Sequence, residues 1–259
     1  MTIVFLHGFL GSQLDLQPIA KLLQHSIETL CIDLPGHGQA VDLPIETYSF
    51  LGAANFVLDQ IQHLPKPALY GYSMGGRIAL YLGLTYPDHF SHLFLESTSP
   101  GLANTADRAS RRTQDAKLAI DLETDFPAFL KSWYNTEFFA TLRDHPSFPE
   151  LLDRRHTNHP IELAKALNGM STGSQPSLWK KLREVPISID FLVGIQDWKF
   201  LTLNQEMAHT ASMARLNCVM GVGHNIHVES PETIDRILHS RLGLNSDRSN
   251  PGNFGGTLS

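Results

Sequence analysis

The chain has 259 residues, with Lys and Arg totalling 20 against 26 Asp and Glu, a formal net charge of −6, 42% hydrophobic residues and 18% charged ones. These values describe a folded chain that can bury a sizeable core, and they exclude an intrinsically disordered one. The acidic balance disfavours nucleic acid as a partner, and no apolar run reaches the roughly 18 residues of a membrane span.

Short apolar runs alternate with longer stretches of helical periodicity. Residues 3–6 form the first run, and the opening Met1-Thr2-Ile3-Val4-Phe5-Leu6 lacks the basic flank and length of a signal peptide. His7-Gly8-Phe9 follows it directly. Residues 29–32 form a second run, closed by Asp33-Leu34-Pro35-Gly36-His37-Gly38, whose Pro and Gly set a structural turn. Residues 48–63 carry Phe50, Leu51, Ala54, Phe56, Val57 and Ile61 at the spacing of an amphipathic helix. A third strand at 68–72 runs into Gly71-Tyr72-Ser73-Met74-Gly75, and a helix at 77–84 runs out of it. Further strands are predicted at 93–95, 187–193 and 216–220.

This alternation predicts an α/β fold, a mostly parallel sheet with helices on both faces. The roughly 90 residues between the strands at 95 and 187 are too many for a simple crossover and lack a clear buried strand. They predict a helical cap insertion over 101–185, with 1–100 and 186–244 as the core and 245–259 as a disordered tail. Cys31 and Cys218 each lie in an apolar segment and read as buried free thiols. The expected compartment is the reducing cytoplasm.

The pentapeptide G-x-S-x-G gains meaning from its strand–turn–helix setting. There a serine occupies a strained turn, and glycines avoid collisions of a Cβ with neighbouring backbone. A serine hydroxyl needs a base, and in this arrangement an acid and a histidine follow it in that order. His224, in Gly223-His224-Asn225, is the candidate base; His227 competes but is expected on the helical turn that follows. Asp197, in Gly194-Ile195-Gln196-Asp197, is the candidate acid; Asp190 competes but lies inside a predicted strand. Ser73, Asp197 and His224 then share the carboxyl edge of the sheet, where open α/β sheets bind ligands. His224 is expected within hydrogen-bond reach of Ser73. The backbone N–H groups of Phe9 and Met74 form a candidate oxyanion hole. The 13 histidines are scattered, and neither His156 and His159 nor His224 and His227 belong to an H-E-x-x-H pattern. No metal and no dinucleotide cofactor is expected.

At these residues the chain resembles the α/β-hydrolase superfamily, over about residues 2–242. Finer features are similar to the 2-succinyl-6-hydroxy-2,4-cyclohexadiene-1-carboxylate (SHCHC) synthases, lyases of menaquinone and phylloquinone biosynthesis. These are Arg77 four residues after the serine, Pro100-Gly101-Leu102 followed by Arg111, Trp133-Tyr134, Arg155-His156-Thr157-Asn158, Asp197-Trp198-Lys199-Phe200, and the run from Gly223 through His224 to Glu229. The resemblance implies elimination of pyruvate from 2-succinyl-5-enolpyruvyl-6-hydroxy-3-cyclohexene-1-carboxylate, with Ser73 abstracting a ring proton after its own deprotonation by His224. It implies that Arg77, Arg111 and Arg155 bind substrate carboxylates and that Tyr72 and Trp133 line the pocket. Read from the residues alone, Arg77 fits a salt bridge within its helix equally well, Arg111 a solvated face beside Arg108 and Arg112, and Trp133 the core of the insertion. The expected partner is a small molecule with several carboxylates, bound by a monomer that needs no cofactor. Superfamily members usually have one or two strands before the His-Gly strand, and with that strand at Thr2 these edge strands are expected to be missing.

Two other readings stand beside the lyase. A serine hydrolase of esters or carbon–carbon bonds would use the same triad, with Ser73 attacking a carbonyl. A binding protein without activity is disfavoured because all three triad positions are filled, although fold alone decides none of these.

Overall fold

Strands form where the apolar runs lie: β1 (Thr2–Leu6), β2 (Glu28–Ile32), β3 (Ala68–Tyr72), β4 (His92–Glu96), β5 (Ile189–Gly194) and β6 (Ala214–Val219). The computed structural model describes residues 1–184 and 186–244, and the tail expected at 245–259 lies outside the described residues. The strands pair in parallel in the order β2-β1-β3-β4-β5-β6. Every residue of β1, β3, β4 and β5 is buried, because a parallel sheet is covered on both faces and its inner strands need continuous apolar runs. The edge strands β2 and β6 are more exposed. That is why Cys218, expected to be buried, is exposed, while Cys31 is half-buried with its thiol pushed up to about 11 by burial.

Helices cover both faces. On one side lie α1 (Gln17–Leu23) and, from the chain's far end, a helix that packs Ile234 and Leu238 against Leu16, Ile19 and Leu23. On the other lie α2 (Phe50–Ile61) and α3 (Met74–Thr85), which pack Val57 and Ile78 onto Val4, Leu6 and Leu69. Ser49 starts α2 by accepting from the Gly52 N–H at 3.0 Å, a side-chain cap for an otherwise unpaired donor. The order of the strands reverses between β1 and β3. Their following loops therefore diverge and leave a crevice above the carboxyl ends, the place where such sheets bind ligands.

Between β4 and β5 the chain leaves the sheet as α4 (Thr105–Thr124), α5 (Phe126–Tyr134), α6 (Ala140–Arg143), α7 (Phe148–His156), α8 (Pro160–Gly169) and α9 (Trp179–Glu184). The insertion has an apolar core of its own, built from Leu122, Phe126, Phe129, Leu130, Leu151 and Leu163, and Leu10 of the sheet's upper edge joins it. Its last part packs on the sheet's core. Leu178 and Leu182 pack with Ile187 and Ile189, so α9 covers the sheet rather than the crevice. The Leu178 N–H donates to the Pro100 carbonyl at 2.7 Å, where the insertion departs. The chain then continues through β5, α10 (Trp198–Thr210), β6, α11 (Ile226–Glu229) and α12 (Pro231–Leu242). Among the described residues, no helix is long and apolar enough to cross a membrane.

Asp190 illustrates how the far edge of the sheet is held. It is fully buried in β5 and accepts hydrogen bonds from His92 at 2.6 Å, Arg241 at 2.7 Å and Asn217 at 2.9 Å. Burial acts to raise its pKa, but these donors outweigh it and hold the carboxyl below its ordinary value. Replacing Asp190 by Ala leaves His92 and Arg241 without their partner, and equilibrium denaturation should show a loss of about 3–5 kcal/mol. At temperatures where the variant remains folded, the chemistry at the opposite edge should persist.

Candidate active site

The tight turn between β3 and α3 is built on two close approaches. A Cβ on Gly75 would stand 2.4 Å from the Leu6 carbonyl oxygen and 2.5 Å from that of His7, so only glycine fits. In its absence the Gly75 N–H donates to the His7 carbonyl at 3.0 Å and draws the turn against the end of β1. Ser73 between them takes φ 48° and ψ −104°, a strained conformation for a residue with a side chain. The strain is held from outside: the Ser73 N–H donates to the Glu96 carbonyl at 2.9 Å, and its carbonyl accepts from Thr98 Oγ1 at 3.0 Å.

The loop after β1 is equally fixed. His7 Nε2 accepts the Leu34 N–H at 3.0 Å, and His7 Nδ1 faces the Gly8 carbonyl at 2.8 Å. His37 Nε2 accepts the Leu10 N–H at 3.2 Å. Burial lowers the His37 pKa to about 3, so it remains a neutral acceptor. Among the described residues the Phe9 and Met74 N–H groups have no acceptor, and both residues line the cavity above the sheet. Met74 is the first residue of α3, where a helix leaves its N–H groups unpaired. An oxyanion placed here would meet two free donors.

His224 Nδ1 lies 2.6 Å from Asp197 Oδ2, and both side chains are buried. Asp197 caps α10 by accepting the Phe200 N–H at 3.3 Å, which fixes the carboxylate. Asp190, the competing acid, lies in the network at the far edge instead. His224 is walled by aromatic rings, with centroids of Phe138 at 3.8 Å, Phe200 at 4.8 Å and Tyr72 at 5.2 Å. Burial lowers its pKa below the ordinary 6.5, against the raising effect of Asp197, so the imidazole is neutral at pH 7. No hydrogen bond joins Ser73 to His224. The Asp197–His224 half of the expected triad is formed and the Ser73–His224 half is not, while the Phe138 ring from the insertion covers the imidazole. Catalytic hydrogen bonds often tighten only when substrate binds.

A cavity of about 720 Å³ opens above Ser73, lined by Phe9, Met74, Trp133 and Asp197 together with Arg77 and Arg111. Its size is that of a small-molecule site. Arg77 is partly buried; among the described residues its side-chain hydrogen bond goes to the neutral Gln175 Oε1 at 3.3 Å, and its guanidinium lies 5.9 Å from the Phe50 ring. Burial, and next the charge of Arg111, lower its pKa to about 10. Arg111 spends Nε on Asp115 at 2.8 Å, and Ser171 steadies that carboxylate at 2.6 Å. Its terminal nitrogens have no protein partner among the described residues. Both guanidinium groups can therefore take a carboxylate.

Residues 3–236 match the Alpha/beta hydrolase family. The chain belongs to this family. A Bacillus subtilis (strain 168) protein that carries the name 2-succinyl-6-hydroxy-2,4-cyclohexadiene-1-carboxylate synthase provisionally is 36% identical, over 93% of this chain and 89% of that one. A Yersinia pestis bv. Antiqua (strain Nepal516) protein bearing the same name outright is 34% identical, over 88% and 82%. MenH from S. aureus superposes with a TM-score of 0.87 at 31% identity, covering 94% of this chain and 93% of the other.

For this hydrolase-fold chain the remaining expected site residues divide. Trp133 lines the cavity, edge-on to Phe9 at 5.4 Å. Tyr72 lies beneath it, its ring against His227 at 4.3 Å. Arg155 is the correction. It is buried away from the cavity lining, bidentate to Asp15 at 3.0 and 2.6 Å, with Nε donating to Tyr134 at 3.0 Å. Each of its three nitrogens makes one hydrogen bond within the protein. Its action is mechanical: α7 of the insertion is fastened to the loop that carries Phe9.

Three residues escaped the sequence reading. Glu96 is fully buried at the end of β4, accepts from Tyr70, and lies 2.9 Å from His227 Nδ1. It forms a second carboxylate–imidazole pair under the first. Gln175 orients Arg77, and Asp115 orients Arg111. A buried acid one residue past an apolar strand is the only signal that pointed to Glu96.

Burial acts to raise the Asp15 pKa, but Arg155 outweighs it and holds the carboxyl at about 2. Breaking a buried pair from one side leaves the other charge uncompensated. Arg155→Ala and Asp15→Ala should each lose about 3–5 kcal/mol in urea unfolding. The double variant should lose less than their sum, because the two side chains act as one unit. Strict additivity would show that the pair does not fasten the insertion.

Proposed function

We propose that the chain eliminates pyruvate from 2-succinyl-5-enolpyruvyl-6-hydroxy-3-cyclohexene-1-carboxylate to give 2-succinyl-6-hydroxy-2,4-cyclohexadiene-1-carboxylate, the product named for its relatives in Bacillus subtilis and Yersinia pestis. The observation that carries this reading is Arg77. Among the described residues it is a guanidinium with no carboxylate bonded to it, facing the Ser73 cavity beside a second guanidinium that repels it. An anionic substrate relieves both penalties, and a neutral ester relieves neither.

The change from a 3-ene to a 2,4-diene dictates the chemistry. The C–H bond at ring carbon 2 breaks, its electrons form the 2,3 double bond, the 3,4 double bond moves to 4,5, and the C5–O bond breaks. The departing enolpyruvate takes up a proton and becomes pyruvate. Neutral His224 accepts the Ser73 proton, Asp197 stabilises the imidazolium that results, and the Ser73 alkoxide takes the proton from carbon 2. Negative charge spreads from carbon 2 onto the adjoining succinyl carbonyl, whose oxygen is met by the Phe9 and Met74 N–H groups. No acyl-enzyme forms. The work belongs to the cytoplasm, where Cys31 and Cys218 stay free thiols.

Incubation with the enolpyruvyl substrate should release pyruvate. His224→Ala should lower turnover by at least ~10²-fold, the scale of a lost general base. Arg77→Ala and Arg111→Ala should each lower kcat/KM by ~30- to 1000-fold, equivalent to ~2–4 kcal/mol for a substrate charge left unpaired. Hydrolysis of a small neutral ester should change little. Wild-type protein that hydrolyses neutral esters well and releases no pyruvate would replace the lyase by a hydrolase. Because the folded pKa of His224 is lowered, kcat/KM should stay level from neutral pH down past 6.5 and fall only below it, as the imidazole gains its proton. A fall beginning above pH 7 would mean that another group is the base.

A further inference from the structure

The substrate proposed above bears three carboxylates: one on the ring, one ending the succinyl chain, and one on the enolpyruvyl group. Two guanidinium groups face the cavity, and Arg155 is committed to Asp15. One negative charge is left without a partner.

We infer that Lys199 supplies the third cationic contact and determines the preference for a tricarboxylate. Three observations meet at this side chain. It lines the same cavity as Ser73, Arg77 and Arg111, but from α10, the element that follows the triad acid. Among the described residues it makes no ion pair and no hydrogen bond, so its ammonium is not already spoken for. It is also the second residue of α10, in the first turn, where the helix dipole favours an acid and opposes a cation. A lysine that gains no protein partner and sits against the dipole is poorly placed for stability and well placed for an anion in the cavity. Its Nζ lies 5.8 Å from the Phe200 ring, which itself stands against His224. The charge is thereby kept on the His224 side of the cavity, while α3 and α4 deliver the guanidinium groups. Trp198 beside it is 75% exposed and lines the same rim, so Lys199 belongs to the mouth of the cavity, where an arriving anion meets it.

The inference rests on the lyase reading for the identity of the ligand, and the experiment separates the two. Steady-state pyruvate release should show KM raised ~10-fold in Lys199→Gln, the scale of one lost charge-assisted contact. Lys199→Glu should raise it ~100-fold, with kcat falling far less than KM rises, and Lys199→Arg should restore KM to within ~3-fold of wild type. Lys180→Gln, an exposed lysine of α9 outside the cavity, controls for net charge and should leave KM unchanged. In parallel, calorimetric titration with propane-1,2,3-tricarboxylate should give weaker binding to Lys199→Gln and Lys199→Glu than to wild type, with a reduced dependence on salt. If wild type releases no pyruvate but tricarboxylate binding depends on Lys199, the anion contact stands and the lyase reading falls. If KM and tricarboxylate binding are the same in Lys199→Glu as in wild type, the inference is overturned whatever the reaction proves to be.

Discussion

One backbone hydrogen bond, from the Gly75 N–H to the His7 carbonyl, sets the distance between the two loops on which the site rests. It forms because position 75 has no side chain and because β1 and β3 are neighbours with diverging exits. With that distance fixed, Phe9 and Met74, whose N–H groups have no acceptor among the described residues, line one cavity, and Ser73 stands beside it in a backbone conformation that an isolated chain would avoid. Deep burial of β1, β3 and β4 supplies the stability that holds the strain. Relaxing the serine would disturb the sheet itself.

Charge is organised on a different principle in each half of the molecule. Several buried acids away from the cavity lining have an arginine or imidazole partner: Asp190 with His92 and Arg241, Asp15 with Arg155, Glu96 with His227. Around the cavity the pairing is less complete. Arg77 has a neutral amide, and Arg111 shares a carboxylate that Ser171 also claims. Arg77 lies in the field of Arg111, and Asp115, which pairs with Arg111, offsets that repulsion only in part.

Much of this arrangement can be read from residue order alone. Continuous apolar runs marked the inner strands β1, β3, β4 and β5, since a strand buried on both faces admits little else, shorter apolar runs marked the edge strands β2 and β6, and the glycines around Ser73 marked the turn that only a close backbone approach requires. Asp197 and His224 were legible because each follows such a strand. Arg155 was not: an arginine that binds a substrate and one that binds Asp15 look identical in sequence, and Asp15 lies 140 positions away. Glu96 was hidden for a similar reason, since its partners Tyr70 and His227 come together only through the sheet and the turn after β6. α9 has the polar composition of its neighbours, and its packing against the sheet's core rests on Leu178 and Leu182, which sequence alone does not single out.

The hydrogen bond between Leu178 and Pro100 has a consequence for how this architecture diversifies. The insertion begins and ends at adjoining points, so to the rest of the chain it is a closed excursion. The entropy of closing such an excursion grows only with the logarithm of its length. Closure entropy alone therefore limits the length of the helices over the cavity only weakly, and the limits that remain are cross-contacts such as Arg155 with Asp15 and Ala166 and Met170 with the sheet's core. The catalytic turn can be inherited unchanged while the roof above it is rewritten, and one strand order can serve many chemistries.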